Sequence, residues 1–287
     1  MLKMSAKSEN IHFFAANHHT VTVSDSMALI VYSNTNPQNM KIADLQKGLI
    51  LSCNGIDVIG EGTGFGVPIA KYSDETVFSG SSTLHVCNNG NTIEIRKEFL
   101  MNLVARDSFR NLKLENSKIR IAFNYISKLY QKHEHLAQSI LTVKGLLLKF
   151  GVKSSFKRSP QRGTVVVNYI IDRNRILVKL NFSLLRRTNL NKVFVLNEQG
   201  AHFFRTYSDS DGLKLVDEKI GAWNDVKAQS AKITNEQNNI EFRLRNIDGA
   251  ILRRGREMME DSLDWIGLDY ELDPKPRQFE YEIELFG

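Results

Sequence analysis

Gln278-Phe279-Glu280-Tyr281-Glu282-Ile283-Glu284-Leu285-Phe286, close to the end of the chain, sets the reading of the whole. Phe279, Tyr281, Ile283 and Leu285 alternate with Gln278, Glu280, Glu282 and Glu284. A period of two is the period of a strand, so this segment predicts a half-buried β-strand with one apolar and one charged face. Working back from it, further strands are predicted at Thr164–Ile171, Ile176–Phe182, Lys192–Asn197, His202–Tyr207 and Ile240–Arg245. Val165-Val166-Val167 reads as buried on both faces.

The first third of the chain has the same texture. Ile11–Ala15, Met27–Ser33, Leu49–Cys53, Thr83–Cys87 and Thr92–Arg96 are rich in β-branched and aromatic residues, and turn clusters separate them. Asn54-Gly55 between two apolar runs predicts a hairpin, because both residues tolerate the positive φ of a type I′ turn. Strands without alternating helices argue for antiparallel sheets, and their number in 287 residues argues for two large packed sheets.

The middle departs from this pattern. Ile119, Ala122, Phe123, Ile126, Leu129, Tyr130, Leu136, Ala137, Ile140, Val143 and Leu147 recur at helical spacing, with Ser117 as N-cap and Gly151 as the C-terminal stop. The expectation is one amphipathic helix over 117–150, about 50 Å long if unbroken at Gly145. Lys153–Arg162, basic and containing Pro160, reads as a loop. The predicted fold is thus mainly β, a supersandwich-like pair of antiparallel sheets with one long central helix. Its parts are an N-terminal β portion at 1–112, a basic helix and loop at 113–162, and a C-terminal β portion at 163–287 that packs with the first as one unit.

The charge is localised in that middle. The chain carries +6 overall, yet 113–162 alone hold 11 basic and 2 acidic residues. Lys144, Lys149, Lys153, Lys157, Arg158 and Arg162 form a candidate surface for an anionic partner, nucleic acid or a membrane plane. The competing reading is a solvated helix face, although such faces usually mix signs. No apolar run is long enough to span a membrane, and the first residues lack a secretory h-region, so a cytoplasmic protein is expected.

Cys53 and Cys87 lie in strand-like runs and read as buried free thiols. A disulfide between them would need an oxidising compartment. No Cys-x-x-Cys and no His-Glu-x-x-His is present, so neither a metal nor a cofactor is expected. Gly60-Glu61-Gly62-Thr63-Gly64-Phe65-Gly66 is not a phosphate-binding fingerprint, because no Lys-Ser/Thr follows it and Val67-Pro68-Ile69 is strand-like. It reads as a turn or bulge where backbones come close, or as a loop lining a cleft.

Two polar clusters remain. The first holds Tyr72, Asp74, Glu75 and His85. His85 lies between Leu84 and Val86 and so faces away from both. The second runs from 197 to 225 and contains Asn197, Glu198, His202, Arg205, Tyr207, Asp217, Glu218, Trp223 and Asp225. Aromatic rings stack on the apolar face of a sugar, while charged groups bond its hydroxyls. Glu61, His85, His202 and Glu218 are therefore the acid–base candidates, and Tyr72, Asp74, Arg205, Trp223 and Asp225 the ligand-binding candidates. Asp209-Ser210-Asp211-Gly212 reads as an Asp-Gly turn, because a calcium loop would need an acidic residue that is missing downstream.

The strand pattern, Gly60–Pro68 leading into a strand and Trp265-Ile266-Gly267-Leu268 before the alternating last strand together resemble the galactose mutarotase-like β-supersandwich proteins. That resemblance implies carbohydrate binding, isomerisation or cleavage. The catalytic His and Glu of that class have no counterpart that the sequence identifies here. The first functional expectation is carbohydrate binding or processing. The alternatives are a scaffold docking an anionic partner through 113–162, and an oligomer built through the helix.

Overall fold

The computed structural model describes residues 17–24, 27–33, 47–53, 56–57, 63–88, 92–109, 152–258 and 264–287. A small sheet holds β1 (Asn17–Thr22), β2 (Met27–Ser33), β3 (Ile50–Cys53) and β4 (Ile56–Asp57) in sequence order. Cys53 pairs with Ile56, so the hairpin predicted at Asn54-Gly55 is present.

The remaining strands form one large antiparallel sheet. They are β5 (Gly64–Tyr72), β6 (Thr76–Asn88), β7 (Ile93–Phe109), β8 (Val152–Arg158), β9 (Thr164–Asp172), β10 (Arg175–Asn181) and β11 (Leu190–Gly200). After them come β12 (Thr206–Asp209), β13 (Lys214–Val216), β14 (Asn224–Asp225), β15 (Ser230–Asn235), β16 (Ile240–Arg245), β17 (Ala250–Met258), β18 (Asp264–Leu272) and β19 (Gln278–Phe286). Their order across the sheet is β13-β12-β15-β16-β19-β10-β9-β7-β6-β5-β11-β18-β17-β14, with β8 on β7.

Between β5 and β6 the ladder shrinks to Ala70↔Val77 and Lys71↔Thr76. Strands far apart in the sheet order meet through their side chains. Phe65 of β5 meets Phe242 of β16 edge-on, and Tyr270 of β18 meets Phe279 and Tyr281 of β19. Three buried tyrosines fasten such strands together. Tyr169 donates to the Phe65 carbonyl at 2.9 Å, Tyr281 to Asn197 Oδ1 at 2.6 Å and Tyr270 to the Arg245 carbonyl at 2.5 Å. Burial raises all three hydroxyl pKa values, so these bonds survive any ordinary pH.

The last strand is half-buried as predicted. Tyr281, Ile283 and Leu285 lie in the core, between β16 and β10. Outside, Glu280 faces Lys179 and Glu282 faces Arg175, while Glu284 bonds Arg245 at 2.7 Å. The core also holds Lys97, fully buried, whose Nζ donates to the Lys47 carbonyl and lies over the Phe99 ring. Desolvation pushes its pKa down to about 7.

The long central helix is the point of correction. Among the described residues there is no α-helix, and helical conformation is limited to one 3-10 turn at Asp217–Ile220. Residues 117–150, with Lys144 and Lys149, lie outside the described residues. What flanks them is strand: β7 runs to Phe109, β8 starts at Val152, and these two residues pair. Lys153–Arg158, which composition reads as loop, is therefore β8. Beyond Leu103, β7 presents backbone donors and acceptors that a strand satisfies and a loop leaves open. That gain outweighs the polar composition of the segment. The fold is corrected from a sandwich built around a helix to a framework of strands. No described helix is long and apolar enough to cross a membrane.

His202–Tyr207 is corrected too, since 202–203 form a turn and β12 begins at Thr206. Cys53 and Cys87 are not joined in a disulfide; Cys53 is buried, and desolvation pushes its thiol pKa up to about 11. Cys87 is exposed, against the expectation that both are buried.

Candidate functional site

Strand alternation sorts the residues of β18 cleanly. Ile266, Leu268, Tyr270 and Leu272 enter the core. Trp265, Gly267, Asp269 and Glu271 therefore take the other, outer face of the strand, where Trp265 and Asp269 are nonetheless buried and Glu271 is half-buried. This outer face carries one cross-strand row with unusual contents. Glu198 of β11 pairs with Gly64 on one side and Gly267 on the other, and Gly267 pairs with Gly255 of β17. Trp223, just before β14, lies on Gly255.

The two glycines are what allow this row. A Cβ on Gly255 would sit 2.5 Å from Trp223 Cδ2 and 3.0 Å from Cε2, so the fused bond of the indole rests on the bare backbone. A Cβ on Gly267 would sit 3.0 Å from Glu198 Cγ. Glycine inside a strand marks such close approach. Neighbouring strands are about 4.8 Å apart, so the indole and the Glu198 side chain lie over adjacent positions.

Glu198 is only 3% exposed, and it accepts from the Thr63 hydroxyl at 3.0 Å. Trp265, one register step along the same face, is 5% exposed, and its Nε1 has no hydrogen-bond partner among the described residues. A buried donor without an acceptor is costly and marks a place where an acceptor fits. Asp269 accepts from the Asn197 backbone at 2.8 Å and holds β11 in place. Arg253 is tied to the Trp223 carbonyl at 3.2 Å, to Glu271 at 3.1 Å and to Asp225 at 3.3 Å, which fixes the segment bearing Trp223.

Behind the row, β5 carries a bulge at Gly66, since Leu196 and Asn197 of β11 pair with Val67 and Phe65. Asn197 Oδ1 accepts from the Gly66 backbone at 3.1 Å as well as from Tyr281. Gly64 and Gly66 have φ of 81° and 76°. The glycine stretch thus ends in closely apposed backbones, as the sequence predicts.

The predicted site residues separate into three places. Trp223 and Asp225 belong to the outer row. Arg205 does not: it bonds Asp217 through two hydrogen bonds, at 2.8 and 2.6 Å, and Asp217 also takes Arg256 at 3.1 Å. Arg256 shares the face of Leu252, which enters the core, so this cluster lies on the opposite side of β17 from Trp223. The Arg205 hydrogen bond holds the Asp217 carboxyl below its ordinary pKa. Glu218 is exposed in the 3-10 turn beside it, and His202 is exposed in the turn after β11.

Tyr72 and Asp74 stand at the far end of β11, where Tyr72 pairs with Leu190. Eight residues separate Leu190 from Glu198, roughly 26 Å of strand, so these do not share a site with Trp223. Arg162 lies over the Tyr72 ring and bonds Glu75 at 2.7 Å. Lys157 and Arg158 are exposed on β8, and Lys153 is on the same strand. His85 is exposed on β6, and Glu61 lies outside the described residues.

Gly255, Gly267, Arg253 and Trp265 are the site residues that residue chemistry alone passes over. Glycine within a strand was the available signal, since Gly255 and Gly267 interrupt otherwise good β sequence. Asp209 forms the predicted turn, accepting from the Asp211 and Leu213 backbones.

No protein-family model matches the chain, and no curated protein matches it. Among solved structures it is similar to the alpha-N-acetylgalactosaminidase NagBb from Bifidobacterium bifidum in complex with GalNAc, at 9% identity and a TM-score of 0.47. That match covers 93% of this chain and spans only 36% of the other's length. It is also similar to a galactose mutarotase related enzyme from Lactobacillus acidophilus, at 8% identity and a TM-score of 0.34, over 94% of this chain and 98% of that one. A galactose mutarotase related enzyme is thus among the neighbours, in line with the resemblance carried by the strand pattern.

Proposed function

We propose that the outer face of β11, β18 and β17 binds a carbohydrate, with Trp223 as the stacking platform and Glu198 as the hydroxyl acceptor. The observation that carries this reading is the pair Gly255 and Gly267, which lowers an indole and a carboxyl onto neighbouring positions of one sheet face. An aromatic ring beside a carboxyl suits a sugar, which presents an apolar C–H face and a rim of hydroxyls. Trp265 Nε1 adds a donor in want of an acceptor, a role that a sugar oxygen fills. Asp225 and Arg253 form the rim.

Asp217 does not supply acid catalysis. Two arginines keep it ionised, and it lies across the strand from the row. Proton transfer on a bound sugar would fall to Glu198, the buried carboxyl of the row. A thermal-shift screen with neutral mono- and oligosaccharides, at low and moderate salt, tests the reading. Stabilisation by a sugar in both salts, lost in Trp223→Ala and in Glu198→Gln, supports it. No stabilisation by any sugar of a broad panel sinks it.

A further inference from the structure

At the opposite end of β11 the Tyr72 hydroxyl donates to the Arg186 carbonyl at 2.9 Å; burial raises its pKa, and the charges of three guanidinium groups, those of Arg162, Arg186 and Arg187, act against that rise. Two of the three are committed. Arg162 is held by Glu75 at 2.7 Å and stacks on the Tyr72 ring. Arg187 donates to the carbonyls of Phe182, Pro274 and Pro276 and staples the 182–187 turn to the segment before β19. Arg186 differs. Its backbone is fixed, with its N–H on the Arg162 carbonyl at 2.8 Å and its carbonyl accepting from Tyr72 at 2.9 Å. Its exposed guanidinium meets no partner among the described residues.

Arg186 lines an open pocket of about 370 Å³ together with Gln161, Gly163, Ser183 and Leu184. The Ser183 hydroxyl and the Gln161 amide also have no partner among the described residues. The pocket wall is rigid, because Gly163 bridges Leu185 and the Arg186 N–H closes on Arg162. One guanidinium, one hydroxyl and one amide on a fixed backbone offer several donors to a single group rich in oxygens. Arg162 is balanced by the carboxylates of Glu75 and Asp74, whereas Arg187 donates only to carbonyls among the described residues, so the positive charge left over belongs to Arg186 and Arg187.

We infer that this pocket binds a phosphate or sulfate ester, with Arg186 as the principal ligand. A planar guanidinium takes such an anion through paired hydrogen bonds, which sets it above a lysine. The site lies roughly 26 Å along β11 from Glu198 and stands independently of the carbohydrate reading.

The test is titration of the full chain with inorganic phosphate and with sulfate at constant ionic strength, followed by 31P NMR and thermal shift, with chloride as control. Saturable binding of both oxyanions, weakened about tenfold or more in Arg186→Gln and partly restored in Arg186→Lys, is expected. Arg186 is exposed, so Arg186→Gln keeps the unliganded melting temperature, and Lys214→Gln, an exposed control on β13 at the end of the sheet, keeps the binding. Glucose 6-phosphate and a sulfated disaccharide then separate the two ester sources, the right one binding more tightly than its free anion. Equal stabilisation by chloride, or unchanged binding in Arg186→Gln, overturns the site, and no gain for either ester overturns the ester assignment.

Discussion

Two stretches of the same large sheet turn an outer face away from the core, and they do opposite things with it. On β19 and β10 the outward residues are charged, alternate without interruption and meet as Glu280 with Lys179 and Glu282 with Arg175. These pairs are exposed and spaced at 3.8 and 3.9 Å, the kind that contributes little to stability. On β11, β18 and β17 the outward positions include two glycines, a buried glutamate and two half-hidden or hidden indoles. A regular charged alternation makes a solvated wall. Glycine within the strands makes room instead for the large side chains of Trp223 and Glu198.

Four experiments press on that contrast, beginning with the core that both faces cover. Lys97 is buried with its pKa lowered from 10.5 to about 7. Between those values the unfolded chain holds a proton that the folded chain has released. Stability therefore rises with pH from about 7 to about 10, by at most ~1.4 kcal/mol per unit, and this contribution is flat below 7. Denaturant melts from pH 6 to 9.5 are expected to show the slope, and Lys97→Met is expected to abolish it. A slope that persists in Lys97→Met assigns it to other groups.

Next in size is the glycine floor. Gly255→Ala drives a Cβ into the indole of Trp223, with an expected loss of about 1–3 kcal/mol, typical of overpacking, together with loss of sugar affinity. If equilibrium unfolding of Gly255→Ala matches wild type, the indole does not rest where the row requires. Trp223→Ala, read by isothermal titration, is expected to cost about 1–2 kcal/mol of sugar binding, roughly tenfold. Smallest is the control on the other wall: Glu280→Gln with Glu282→Gln is expected to shift stability by less than about 0.5 kcal/mol and to leave sugar binding intact. A large effect there would erase the distinction between the two faces.

Much of this was legible in the residues, but unevenly. The alternation in 278–286 gave both faces of β19 correctly, and Val165-Val166-Val167 is buried as read. The aromatic and acidic stretch 197–225 contains Glu198 and Trp223, but residue chemistry alone selects His202 and Glu218 from it as acid–base candidates, not Glu198. Which of its members share a face was not legible. The 3-10 turn at Asp217–Ile220 breaks the count between Arg205 and Trp223, and alternation carries no parity across such a break. The pairing of Gly255 with Gly267 and of Gly267 with Glu198 joins strands far apart in sequence, and local pattern does not encode long-range register. In Lys153–Arg158, composition lost to an available ladder edge on β7.

The chain has two tryptophans, and both belong to the proposed row. Intrinsic fluorescence in the single-tryptophan variants Trp265→Phe and Trp223→Phe therefore reports directly on the site. The account predicts a saturable change with the stabilising sugar in each variant that retains binding, and its disappearance when Glu198→Gln is added while the melting transition persists. A sugar that binds with no change in either indole, or binding indifferent to Glu198→Gln, would contradict it.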